Sequence, residues 1–108
     1  MQPTDIAPPP NDSACCLHLV AGAGRDVLDA CFAQLAPIDT VVFLDAGVLQ
    51  LLQPSSTPGS ATSAMFFAEA DLRAHGLLEA AHDLQVGVID DAGICALLTQ
   101  CTHCLTWR

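Results

Sequence analysis

Thr40-Val41-Val42-Phe43-Leu44 is β-branched or apolar at every position. A strand with one wet face alternates apolar and polar side chains. One without that alternation belongs in a sheet covered on both faces, as parallel sheets are. Leaving one face in water would expose Val42, or Val41 and Phe43, at a cost of roughly 1.5–3 kcal/mol per large side chain. This segment therefore demands a layered fold with helices above and below a sheet.

The rest of the chain supplies those layers. Cys16-Leu17-His18-Leu19-Val20 reads as a first strand, broken by Ala21-Gly22-Ala23-Gly24. Val27, Leu28, Cys31, Phe32 and Leu35 then fall at helical spacing until Pro37. Asp45-Ala46-Gly47 ends the second strand, Val48, Leu51 and Leu52 suggest a short helix, and residues 54–60 have loop composition. Ala64-Met65-Phe66-Phe67-Ala68 forms a third strand, and Asp71 can cap a helix carrying Leu72, His75, Leu77 and Leu78. Residues 84–89 read as a fourth strand. Asp90-Asp91 then opens a helix bearing Ile94, Cys95, Leu97, Leu98 and Cys101, and Leu105-Thr106-Trp107 can add a last strand. The alternation predicts one α/β domain: a four- or five-stranded, mainly parallel sheet joined by right-handed crossovers, with helices on both faces. Residues 1–14, with Pro8-Pro9-Pro10, lack an apolar period and read as a flexible tail ahead of a domain over 15–108.

Composition excludes several functions. Three arginines, no lysine and twelve carboxylates give a net charge of -9 in 108 residues, so the surface lacks the cations that neutralise phosphates in nucleic acid or an anionic membrane. No apolar run approaches the roughly 20 residues of a membrane span, and the N-terminus lacks the basic region and apolar core of a signal peptide. A cytoplasmic location is expected. An apolar fraction of 52% is high for so small a chain and predicts that part of the surface is an interface with other subunits.

In a reducing compartment, Cys15, Cys16, Cys31, Cys95, Cys101 and Cys104 are buried thiols, metal ligands or reactive thiols rather than structural disulfides. Cys101-Thr102-His103-Cys104 has C-x-x-C spacing. It follows a helix instead of opening one, unlike a redox dithiol, and zinc would need two more ligands, from His103, His18 or Cys15-Cys16 with the tail folded back. No metal or cofactor is assigned. Ala21-Gly22-Ala23-Gly24 lacks the full dinucleotide fingerprint and the P-loop lysine, and reads as a turn. His18, inside an apolar strand, reads as a hydrogen-bonded core residue.

The order of these segments carries a resemblance. Leu17-His18 opens the first strand, Cys31 lies within the first helix, and the apolar strand ends in Asp45-Ala46-Gly47-Val48. Asp71-Leu72-Arg73-Ala74-His75-Gly76-Leu77 and Val88-Ile89-Asp90-Asp91-Ala92-Gly93-Ile94 follow, with a tryptophan at the penultimate position. From about Cys16 to Arg108 the chain resembles the DsrH/TusB family of small sulfur-relay subunits, although members often place Lys-Ser-Pro where this chain has Ala21-Gly22-Ala23-Gly24-Arg25. The resemblance implies a three-layer DsrE-like domain in a heterohexamer with homologous DsrE/DsrF-like or TusC/TusD-like subunits, exchanging sulfane sulfur with small sulfur-carrier proteins. In the DsrH branch, tied to sulfur oxidation, a cysteine of the first helix is implicated in the relay, and Cys31 stands at the matching place. In the TusB branch, which serves tRNA 2-thiouridine synthesis in a TusBCD complex, that cysteine is generally missing and the subunit is architectural. Cys31 is thus the expected persulfide-bearing residue and the non-catalytic subunit the alternative. Near Cys31 the sequence offers only the acid Asp29 and no feature that would stabilise a thiolate.

Overall fold

The structure, a computed structural model, describes residues 16–36, 38–52 and 64–108. The expected tail, Cys15 and the loop over 54–60 lie outside the described residues. The element order is β1 (Cys16–Val20), α1 (Arg25–Ala33), β2 (Thr40–Phe43), a 3-10 helix (Asp45–Leu52), β3 (Ala64–Ala68), α2 (Glu69–Ala74), α3 (Leu78–Asp83), β4 (Val88–Ile89), α4 (Asp91–Gln100) and β5 (His103–Trp107). The strands form one five-stranded sheet in the order β4-β3-β2-β1-β5, and every pairing is parallel.

That order follows from the crossovers. β1 through β4 step across the sheet one neighbour at a time, and α4 then carries the chain back past β3, β2 and β1 to place β5 beside β1. Right-handed connections put the helices of the outward steps on one face and that of the return step on the other. Register confirms the division, since paired residues of parallel strands share a face. Val20, Val41, Phe43 and Phe67 form one core with Leu28 and Cys31 of α1, Val48 of the 3-10 helix, Leu72 of α2 and Ala81 of α3. Phe43 and Phe67, opposite one another in register, stack with ring centroids 4.5 Å apart. The other face carries Leu17, Val42, Phe66, Ala68 and Ile89, and there Gly93 of α4 lies so close to Ile89 that an added Cβ would sit 2.6 Å from its Cγ1. Both Val41 and Val42 are fully buried, as the unbroken apolar strand requires.

Two expected elements are cut by helix ends. The helix expected through Leu78 breaks at Gly76, whose φ of +70° places it in the left-handed region that glycine adopts without strain. Gly76 N–H donates to Arg73 O at 3.2 Å and Leu77 N–H to Leu72 O at 2.7 Å, the paired bonds of a Schellman turn. The same turn closes α3, with Gln85 at φ +58° and bonds from Gln85 N–H to His82 O and Val86 N–H to Ala81 O. Leu84 and Gln85 therefore belong to a helix end, and the strand expected over 84–89 shortens to Val88–Ile89. Likewise α1 ends at Ala33, ahead of Pro37, and α2 begins at Glu69 with Asp71 inside its first turn rather than capping it. Asp90 does cap α4, its Oδ1 accepting Gly93 N–H at 2.9 Å.

Gly47 is where the 3-10 helix meets the sheet. A Cβ at this position would collide with the backbone carbonyl of Val20, which already accepts Leu44 N–H at 3.0 Å as the β1–β2 pairing ends. Gly47→Ala should thus lower unfolding stability by about 2 kcal/mol or more, a strain the fixed strand end has no room to relax. Leu98→Ala on the exposed side of α4 should shift it by less than about 0.5 kcal/mol. Urea denaturation of the two variants measures the difference.

Candidate functional site

Around Cys31 the fold gathers a second thiol and a buried polar chain at the N-terminal end of β1. The Cys31 side chain is on the inward side of α1 with no exposed surface and is part of the core cluster. The same periodicity that made it an apolar-stripe residue in sequence buries it. Burial, then the nearby charges of Cys16 and Asp39, push its thiol pKa up to about 12. At neutral pH that leaves roughly one molecule in a hundred thousand as thiolate, the opposite of an activated nucleophile.

His18 is 1% exposed, in agreement with its expected role as a satisfied core residue. Its Nε2 lies 2.9 Å from Asp39 Oδ2, and its Nδ1 accepts the Trp107 indole N–H at 3.0 Å. An indole nitrogen only donates, so Nδ1 must present a lone pair and the proton resides on Nε2, which donates to the carboxylate. Asp39 Oδ2 also accepts Ala36 N–H at 3.0 Å and its Oδ1 accepts Cys16 N–H at 3.1 Å. Burial raises the Asp39 pKa, but the bonds from Ala36, His18 and Cys16 outweigh it and hold the carboxyl below its ordinary value. β1, the loop before β2 and β5 are thereby tied together by side chains.

The sequence alone singles out neither Asp39 nor Trp107 as the partner of His18. A histidine in an apolar strand signals that partners exist, but nothing in the sequence specifies residues 21 and 89 positions away. The other described cysteines lie elsewhere. Cys95 on α4 and Cys104 on β5 are exposed, and Cys101 forms the C-cap of α4. Cys104 is in register with Leu17, so it projects to the sheet face opposite Cys16 and His18. Among the described residues no group of three or more His, Cys, Asp or Glu is placed to hold a metal ion. At the other end of β1, buried Gln50 donates through Nε2 to Gly22 O at 3.1 Å and Gly24 O at 2.9 Å, and holds the glycine-rich segment, which is an irregular connection with Gly24 extended rather than the expected turn.

No model of a known protein family matches the sequence, and no curated protein does. No helix among the described residues is long and apolar enough to cross a membrane.

Two measurements follow. Trp107→Phe keeps the ring but strands Nδ1 of a buried histidine, and should cost about 1–3 kcal/mol in unfolding free energy. Because the folded Asp39 pKa is depressed, its contribution is complete above the unfolded value of about 3.9 and disappears as pH falls through the lower folded value. Wild-type stability should therefore fall on acidification below about pH 4, and Asp39→Asn should flatten that part of the profile.

Proposed function

We propose that this chain is a subunit of a cytoplasmic sulfur-relay assembly of the DsrH/TusB type, in which Cys31 is a sheltered station for sulfane sulfur rather than the primary nucleophile. The observation that carries this is the position of Cys31: a thiol of the first helix, enclosed against the parallel sheet beside a second thiol, Cys16. A persulfide is vulnerable to competing thiols, and a core position excludes them. Resemblance in the order of motifs supports the family, and the five-stranded parallel sheet agrees with the α/β domain it implies.

Assembly supplies what the isolated subunit lacks. Leu98 on α4 and Leu105 on β5 are 48% and 45% exposed, and β5 is an edge strand solvated along most of its length. Such apolar surface fits burial against homologous DsrE/DsrF-like or TusC/TusD-like subunits. The acidic surplus suits docking to a basic sulfur-carrier protein. The raised thiol pKa and full burial of Cys31 favour a second assignment, a non-catalytic subunit of a TusBCD-like complex for tRNA thiolation, with Cys31 as a packing residue.

Co-expression with homologous subunits, followed by native and intact mass measurement, separates the two. The relay function predicts a stable hetero-oligomer in which sulfane-sulfur donors add about 32 Da at Cys31, located by peptide mass, and in which Cys31→Ser keeps assembly but lowers sulfur throughput. Unchanged sulfur throughput in the Cys31→Ser complex would assign the chain an architectural role, and failure to assemble or load would reject the proposal. In the folded chain, iodoacetamide at neutral pH should label exposed Cys95 and Cys104 and spare Cys31 until the protein is unfolded.

A further inference from the structure

A fully buried sulfur station needs a route to solvent, and Cys16 is a half-buried thiol on the same side of the sheet. Cys16 opens β1 on the sheet face shared with His18 and Val20, the face α1 covers. A crossover helix runs opposite to the strand it follows, so the last turn of α1, with Cys31, lies over the first residues of β1, with Cys16. Asp39 closes the group, bonding the Cys16 backbone N–H at 3.1 Å while its charge, like that of Cys16, acts on the Cys31 thiol. Cys31 has no exposed surface whereas Cys16 is half-buried, and exposed Cys104 projects from the opposite sheet face.

We propose that Cys16 is the gateway thiol through which sulfane sulfur reaches Cys31. The inference rests on the sulfur-relay function proposed above. In the first step the Cys16 thiolate attacks the sulfane sulfur of a polysulfide or protein persulfide, forming a Cys16 S–S bond and releasing the donor thiolate. In the second the Cys31 sulfur attacks the outer sulfur. A Cys31 S–S bond forms, the Cys16 S–S bond breaks, and the departing Cys16 thiolate takes the proton given up by Cys31. One sulfur atom moves between two thiols, with no net oxidation and no further reactant. Since burial holds the Cys31 thiol at about 12, the second step quickens as pH rises.

The test incubates the hetero-oligomer, co-expressed with homologous subunits, with inorganic polysulfide, traps persulfides at intervals by alkylation in denaturant and locates them on this chain by peptide mass. Wild type should load Cys16 first and Cys31 later. Cys16→Ser should slow loading of Cys31 by about tenfold or more, Cys31→Ser should leave sulfur held on Cys16, and Cys15→Ser should change neither rate. Circular dichroism checks that each variant is folded, with Cys16→Ala as the replacement if the serine variant is not. Loading of Cys31 at the wild-type rate without Cys16, or ahead of it in wild type, would overturn the gateway while leaving the relay function intact. Failure of wild type to load either thiol would overturn both.

Discussion

A histidine sealed inside a parallel sheet sets conditions that the surrounding chain has to meet. Both ring nitrogens of His18 need partners, because a buried polar group left unpaired costs about 1–3 kcal/mol. Asp39 serves one and Trp107 the other. Meeting that demand fixes the loop entering β2 and holds β5 to the sheet by something more than its backbone ladder. β5 needs the help, since four of its five residues are exposed and only Trp107 is partly enclosed. The Trp107 carbonyl also accepts Ala21 N–H at 2.8 Å, so one residue joins β5 to β1 through both backbone and side chain.

The same carboxylate also bears on Cys31. Asp39 anchors the start of β1 through Cys16 N–H and, as a negative charge near Cys31, opposes its ionisation. A network that stabilises the fold therefore also keeps the buried thiol protonated and quiet. In the relay function this is a division of labour: Cys31 holds sulfur where solvent thiols do not reach, and exchange with the outside falls to a thiol nearer the surface. In the architectural alternative, the same burial simply completes the core beneath α1.

Much of the fold was legible in the sequence because hydrophobic pattern alone determines it. β1 and β3 fall on the expected residues, β2 lacks only Leu44, and the apolar character of Thr40 to Phe43 required the two-sided cover that the structure has. Boundaries set by backbone conformation were harder. The Schellman turn at Gly76 had a glycine to announce it, whereas the one at Gln85 uses a non-glycine residue in the left-handed region, and there an apolar run disguised a helix end as a strand. Near the start of β1, the burial of Cys31 and the satisfied core role of His18 were legible, one from helical periodicity and the other from a polar ring in an apolar strand. Asp39 was not, because it lies in a loop before β2 and acquires meaning only when the sheet brings His18 across to it.

The chain from Asp39 through His18 to Trp107 depends on where the His18 proton resides. Long-range proton–nitrogen correlation NMR of the imidazole at neutral pH reads this directly. The structure predicts the proton on Nε2, with Nδ1 appearing as an unprotonated acceptor that loses its hydrogen-bond shift in Trp107→Phe. A proton on Nδ1, or a ring protonated at both nitrogens, would contradict the Asp39–His18–Trp107 chain and with it the linkage of β1, β2 and β5.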